Sequence, residues 1–506
     1  MSAPILHPYQ IDAIDGLRRE VAAGKRRILL VAPTGSGKTI MAAGIIAGAT
    51  AKGKKTLFLA HLRELVGQAA NKLEQVGQDV GVIMAGRQPR PEAPVQVAST
   101  WSLHGRAVRS SVSELPFADV VVVDEAHHAP GRICSELIAK YPNATVIGLS
   151  ATPCRGDGRG LGGIFEAMVE CPSVKQLTEA GYLVPTNIFA PPPPDLSAVK
   201  VRRGEFVESD LERTMNQQPL VGDAVVQWHR HNPDRKPTVV FAVSVRHSIS
   251  VRDAFAAANV VAEHIDAQTP PDERKSILER LADGRVEVLC NVGVLLEGWD
   301  CPTVECLVLA RPTKSLALYR QMVGRVLRPS PGKTSALILD HAGGCYMHGL
   351  PDDDIDWSLA PDRKVQNKAH VARGNGQMPA LVSCPECNAV RWQGQPCQIC
   401  GWRPRRRGDA PEIIDGDLYG VERWKGAKRK DPTPAEKRSF QGQLIAIGTQ
   451  RGYSRGWVAH KFKEKFGHFP AGNDTSAVEP SAEVLSWVKS RQIAYAKAQA
   501  KARGAA

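Results

Sequence analysis

No apolar run in the 506 residues approaches the eighteen or so that a membrane-spanning helix needs, so no such helix is expected. The opening Met1-Ser-Ala-Pro-Ile-Leu-His7 lacks a basic segment, an apolar core and a small-residue cleavage site, so the chain is expected to stay in the cytoplasm. Cysteine is sparse and unevenly placed. Seven of the eleven are scattered (134, 154, 171, 290, 301, 306 and 345) and four form two tight pairs near residue 390, which is no disulfide framework. No short-period repeat appears. What remains is ordinary globular usage, 43% hydrophobic and 23% charged, in a soluble chain. At roughly 100 to 200 residues per domain, the length holds two to four domains.

The formal charge of +13 is concentrated at one end. Residues 401–506 carry 21 Lys and Arg against 11 Asp and Glu, a net of +10. A basic tail on a soluble chain points to a polyanionic partner, and the bland alternative is a solvated tail.

Short β-branched runs alternate with helical stretches up to about residue 345. The runs Ile28–Ala32, Thr56–Ala60, Val95–Ala98, Val120–Val123 and Val146–Leu149 are continuous, as strands buried on both faces should be. A second set follows at Val239–Val243, Val260–His264, Val286–Cys290, Cys306–Ala310 and Ala336–Asp340, with helical patterns at Pro271–Leu281 and Ser315–Leu327. The fold class expected is α/β, with two tandem parallel-sheet domains over 1–188 and 201–350. The proline run within Ala190–Asp195 marks a linker at 189–200. Beyond residue 345 the alternation gives way to a Pro/Gly/Asp-rich passage, the paired cysteines (380–405) and a basic, mainly helical region (406–506).

The first strand runs into Ala32, Pro33, Thr34, Gly35, Ser36, Gly37, Lys38 and Thr39, and then an apolar helix. This strand-loop-helix nearly fits a phosphate-binding loop. Its two glycines let backbone N–H groups close on phosphate oxygens, Lys38 adds a point charge, and the Thr39 hydroxyl can ligate Mg²⁺. Four valines at 120–123 end in Asp124-Glu125-Ala-His127, so two carboxylates sit at the carboxyl end of a buried strand, where α/β ligand sites lie. Asp124 suits Mg²⁺ and Glu125 suits orienting or deprotonating a water. With Lys38 they make a nucleotide triphosphatase site, and ATP with Mg²⁺ is the expected pair.

With these residues the chain resembles the superfamily-2 nucleic-acid helicases and translocases, whose tandem RecA-like domains bind ATP between them. Asp124–His127 matches the motif of their DEAH-type members. The resemblance covers two-thirds of the chain. It implies that Gln10, in Leu6-His-Pro-Tyr-Gln10, reads adenine, and that Arg63 and Thr100, with Trp101 beside it, track a nucleic-acid strand. Ser150, Ala151 and Thr152 would couple hydrolysis to motion through Asp124–His127. In the second domain, Ser244 and His247 would contact the strand, and Gly298 and Asp300 would touch substrate backbone and ribose. Gln321, Arg325 and Arg328 stand at i, i+4 and i+7, on one helical face that can reach the terminal phosphate.

The runs Leu296–Pro302, Ala310–Ser315 and Tyr319–Asp340, followed by a cysteine-rich segment, are similar to the bacterial and phage RadD-type helicases of DNA repair and fork processing. Leu296 departs from the threonine of many relatives. The Pro-Thr-Arg-Glu-Leu signature of RNA-processing DEAD-box helicases is replaced by His61-Leu-Arg-Glu-Leu65, which tilts the partner toward DNA over RNA. Single-strand-binding and other replication or repair proteins are candidate partners.

Cys384, Cys387, Cys397 and Cys400 repeat a Cys-x-x-Cys pair with nine residues between, a pattern for structural Zn²⁺, with a redox pair a poor second. In the tail, Arg403–Arg407 and Lys428–Lys430 favour nucleic acid, whereas Trp457, Phe462 and Phe466 fall at helical spacing and favour a small core. The expected activity is an ATP-dependent DNA helicase or translocase. The rivals are the motor subunit of a restriction system, a remodelling ATPase that separates no strands, and a binding scaffold, which would need a broken ATP site. No nuclease-like carboxylate cluster with lysine follows the motor.

Overall fold

Residues 5–503 are described in a computed structural model, apart from 111–113, 157, 192, 203, 368–378, 405–431 and 473–475. They divide into two compact units, Met1–Arg407 and Gly408–Ala506.

The first unit opens with a seven-stranded sheet: β1 (Arg27–Val31), β2 (Thr56–Ala60), β3 (Val80–Ile83), β4 (Val95–Ser99), β5 (Val120–Val123), β6 (Thr145–Ser150) and β7 (Ala167–Glu170). Its order is β3-β4-β2-β5-β6-β1-β7, and every pairing is parallel. Val121, Val122 and Val123 are buried, because helices cover both faces of such a sheet and leave no polar side to alternate with. The order places β1 and β5 on either side of β6, so the loops leaving them meet at one carboxyl edge.

β8 (Thr186–Phe189) opens a second sheet and pairs in parallel with its distant partner at Ala336–Asp340. This corrects the expected boundary. The chain leaves the first domain before residue 186, and the prolines at 191, 193 and 194 come after the first strand of the second domain rather than between the two. A small hairpin, β9 (Val201–Arg202) and β10 (Glu205–Phe206), precedes β11 (Thr238–Phe241), β12 (Ala262–Ile265), β13 (Val288–Asn291), β14 (Cys306–Leu309) and β15 (Ala336–Asp340). The sheet order is β12-β13-β11-β14-β15-β8, again parallel.

The passage after residue 350 straps back onto the first domain. Gly160 and Gly162 donate backbone hydrogen bonds to Ala360 and Leu359, Val365 donates to Gly158, and Trp357 and Leu359 pack on the first domain's core. The chain therefore returns to its first domain after building the second sheet. After the short pair β16 (Ile355–Asp356) and β17 (Gln366–Asn367), the hairpin β18 (Leu381–Ser383) and β19 (Val390–Trp392) carries the paired cysteines. It docks on the second domain, where Ala389 bridges Phe189 and the Ser383 hydroxyl donates to the Ala190 carbonyl at 3.1 Å.

The second unit contains helices Pro434–Gln450, Arg455–Phe466 and Ala482–Arg503 around Phe440, Leu444, Ile447, Val458, Phe462, Val484 and Val488. Trp457 and Phe466 pack against that core, as their helical spacing suggested. Arg405–Arg407 and Lys428–Lys430 lie outside the described residues. No helix among the described residues is long and apolar enough to cross a membrane.

Candidate active site in the interdomain cleft

β1 delivers the chain into the loop Pro33–Gly37, and the helix Lys38–Thr50 leaves it. Gly35 (φ +90°) and Gly37 (φ +80°) both adopt left-handed backbone, which a side chain would strain. At Gly37 an added Cβ would also stand 2.6 Å from the Gln10 amide nitrogen. That amide donates to the Ser36 carbonyl at 2.9 Å, and the Tyr9 hydroxyl donates to the same oxygen at 2.8 Å. Gln10 thus braces the loop from behind. The Ser36 hydroxyl closes the turn on the Pro33 carbonyl, and Thr39 is exposed.

β5 brings Asp124 and Glu125 to the same edge. Glu125 is buried with φ +46°, a conformation that costs a non-glycine residue on the order of 1–3 kcal/mol and is tolerated where function fixes it. Its carboxylate lies 3.9 Å from Lys38 Nζ and 3.4 Å from His127 Nδ1. Burial alone would raise both carboxyls. Lys38 and His127 overcome it at Glu125 and hold that group low, whereas burial and the neighbouring Glu125 push Asp124 up. Glu125 is met by both Lys38 and His127, which leaves the part-buried Asp124 carboxyl and the exposed Thr39 hydroxyl as the oxygens available to a divalent cation. His127 is also buried, but its hydrogen bonds to Glu125 and Glu297 lift it to about 9, so it is a cation at neutral pH. Ser150 Oγ stands 3.4 Å from His127 Nδ1, the expected coupling contact, while the buried Thr152 hydroxyl reaches no partner and Ala151 is packed beside it.

The second domain closes on this edge. Arg328 packs against Gly35, and its guanidinium bonds Asp300 and the Trp299 carbonyl. Arg325 is buried and donates to the carbonyls of Trp299, at 2.7 Å, and Leu296. Burial and the adjacent Arg328 pull its pKa down to about 10, still charged at neutral pH. The expected common helical face is corrected. The helix Leu316–Val323 ends before either arginine, and Arg325 and Arg328 sit on the turns that follow Gly324, which lies against Thr34 where a side chain has no room. Gln321 remains on the helix, buried, with its amide nitrogen unpartnered. Gly298 (φ +69°) accepts a hydrogen bond from Gln68 and faces Leu65, so it meets the first domain.

The expected strand contacts divide. Arg63 is exposed and donates to the Ala85 carbonyl, whereas Thr100 is buried and the neighbouring Trp101 is 66% exposed. Ser244 and His247 are corrected as contacts, since both are buried. Ser244 caps the helix Val245–Ala257 by accepting the His247 N–H at 3.2 Å, and the His247 ring accepts the Val243 N–H, with its pKa pulled down to about 4 by burial. Ser244→Ala should therefore cost about 1 kcal/mol of stability in chemical denaturation. A drop in DNA affinity without a drop in stability would restore the contact role.

Glu297 lay within the run Leu296–Pro302 but drew no role from sequence. It takes the His61 imidazole at 2.7 Å and His128 at 3.2 Å, with His127 at 3.6 Å. Burial would raise it, yet the three imidazoles hold it well below the usual carboxylate range.

In the hairpin, all four cysteine sulfurs fall within 4.8 Å of one another, with Cys384 to Cys400 at 3.7 Å and Cys387 to Cys397 at 3.6 Å. Ligands about 2.3 Å from a tetrahedral Zn²⁺ stand about 3.8 Å apart, so the set fits that ion. The two halves are built alike. Asn388 (φ +60°) and Gly401 (φ +74°) each follow the leading cysteine by four residues and return a 2.9 Å N–H bond to its carbonyl. None of the eleven cysteines forms a disulfide.

Residues 4–155 match the family described as type III restriction enzyme, res subunit, and residues 222–330 match the helicase conserved C-terminal domain. The cleft and these matches define the class: a nucleic-acid-dependent ATP hydrolase of the superfamily-2 helicase type. Among its relatives is a 51.5 kDa protein of a Lactococcus phage, 29% identical over 74% of this chain and 77% of that one. IRC3 of Saccharomyces cerevisiae, provisionally designated an ATP-dependent helicase, is 29% identical over 71% of this chain and 56% of its own length. The type I restriction enzyme EcoAI endonuclease subunit of Escherichia coli is 26% identical over 69% and 48%. The chain thus spans about half the length of the last two. A solved fragment of a provisional type I HsdR subunit from Vibrio vulnificus YJ016 shares the fold, with TM-score 0.56 at 22% identity over 71% and 68%.

Proposed function

We propose that this chain is a DEAH-type, RadD-like motor that couples ATP hydrolysis to movement on, or unwinding of, DNA in repair, recombination or replication. The observation that carries this reading is the two-sided cleft: the phosphate-binding loop lies on one domain, and Arg328 of the other packs against Gly35. Lys38 and the loop's N–H groups would bind the phosphates, Glu125 would orient the attacking water, and Ser150 would pass the state of His127 to the rest of the domain. Thr39 and Asp124 would hold Mg²⁺, which neutralises charge on the transferring phosphoryl group. The preference for DNA rests on the His61–Leu65 departure from the RNA-helicase signature and on relatives named as restriction enzymes. Comparing unwinding of forked, 3′-tailed, 5′-tailed and RNA-containing duplexes tests it. Equal activity on an RNA duplex would remove the DNA assignment. The match at residues 4–155 also favours the motor of a restriction assembly, which ATP-dependent plasmid cleavage in the same assay would reveal.

Zn²⁺ in the Cys384–Cys400 set and the basic second unit are proposed to hold substrate. Because the hairpin covers Phe189, a clean truncation falls after residue 407. That truncation should keep basal ATPase and one Zn²⁺ per chain, but bind DNA more weakly and with a shallower salt dependence, because fewer phosphates are neutralised. Identical salt slopes for the two proteins would reduce the tail to a solvated appendage.

A further inference from the structure

The cleft holds a second group of metal-ligating side chains beside the phosphate-binding residues. His61 follows β2, His128 lies in the turn after β5, and both converge on Glu297, which arrives from the second domain. The two imidazoles address different oxygens of one carboxylate: His61 Nε2 meets Oε2 at 2.7 Å and His128 Nε2 meets Oε1 at 3.2 Å. Their ring centroids are 4.3 Å apart, and the three donor groups lie within 4.8 Å of one another. Two ligands about 2.1 Å from one ion stand about 3.0 Å apart at a right angle and about 3.4 Å apart at the tetrahedral angle. The observed separations therefore approach the edges of a coordination polyhedron.

We propose that His61, His128 and Glu297 form an interdomain site for a borderline divalent transition ion such as Zn²⁺, Co²⁺ or Ni²⁺. Neutral imidazole suits these ions, whereas Mg²⁺ takes hard oxygen ligands, so the site is chemically separate from the nucleotide's cation. The half-exposed His128 ring gives the ion a way in, and three protein ligands leave positions for water. Because the ligands come from two domains, the ion binds the closed cleft alone and stabilises it in proportion to RT ln(1 + [M]/Kd). A turnover cycle that opens the cleft is then slowed by the ion. The binding site itself does not depend on the nucleic acid that the motor acts upon.

The test titrates the full chain, as purified and without nucleotide, with Co²⁺. One Co²⁺ per chain should bind without the thiolate charge transfer that any ion at the four cysteines would show. His61→Gln and His128→Gln should each weaken that binding by more than about tenfold, since even outer-shell changes cost 10- to 100-fold. Unchanged circular dichroism would show that both variants fold. Adding Zn²⁺ should lower steady-state ATP turnover of the native chain and alter that of His128→Gln far less, each compared with its own rate without Zn²⁺. Binding of Co²⁺ at thiolates alone, or equal binding of a further ion by both variants, overturns the site and leaves the imidazoles as hydrogen-bond donors. Native turnover that is indifferent to Zn²⁺ overturns the lock.

Discussion

Glu125→Gln binds ATP close to the native affinity and turns it over at least about 10³-fold more slowly, whereas Lys38→Ala loses affinity and turnover together. The difference follows from what each side chain can touch. Lys38 is a point charge at the start of its helix, next to a loop whose N–H groups would face the phosphates, and its removal would take charge from ground and transition states alike. Glu125 is strained at φ +46°, held low by Lys38 and His127, and able to act on water only as an anion. Its amide replacement keeps the shape and one acceptor oxygen but has no negative charge. Nucleotide binding by fluorescence and phosphate release under single turnover separate the two effects. Hydrolysis by Glu125→Gln at the native rate would move the role to another carboxylate, with Asp124 the first to test.

Much of this site is legible in the sequence because it is local. Residues 32–39 specify strand, loop and helix within one stretch, and β2, β5 and β15 fall where their apolar runs begin and end. The strands of the two large sheets that the sequence does not reveal, β3, β7 and β8, all lie at sheet edges, and β3 is a short Val-Gly-Val-Ile interrupted by glycine. β7 is an edge strand with no fully buried residue, and β8 is a four-residue Thr-Asn-Ile-Phe beside a proline run, so neither advertises its sheet. The strap at 357–365 is invisible for another reason: its partners lie about 200 residues earlier, and only the fold brings Leu359 to Gly162. Ser244 and His247 show the converse. Their motif is readable, but a serine before a helix is also a cap, and burial decides in favour of the cap. Glu297 could not be assigned from sequence, because its meaning depends on His61 and His128 in the other domain.

The two arginines that share one motif should fail in different ways when truncated. Arg328→Ala is expected to lower turnover by about 10³-fold or more while changing ATP affinity far less, the signature of a cation that acts as the domains close on the transition state. Its guanidinium has only Asp300 and one carbonyl to lose, Asp300 is exposed, and thermal stability should hardly move. Arg325→Ala should also depress turnover, but it additionally strands the part-buried carbonyl of Leu296 and leaves that of Trp299 with only the longer bond from Arg328. Leaving buried acceptors unpaired costs about 1–3 kcal/mol, enough to lower the melting temperature measurably. Parallel measurements of kcat, ATP affinity and melting temperature on both variants decide the matter. Equal destabilisation by the two would show that Arg328 is as structural as Arg325. A loss of ATP affinity with kcat unchanged at saturation would show that neither reaches the phosphoryl group as it transfers.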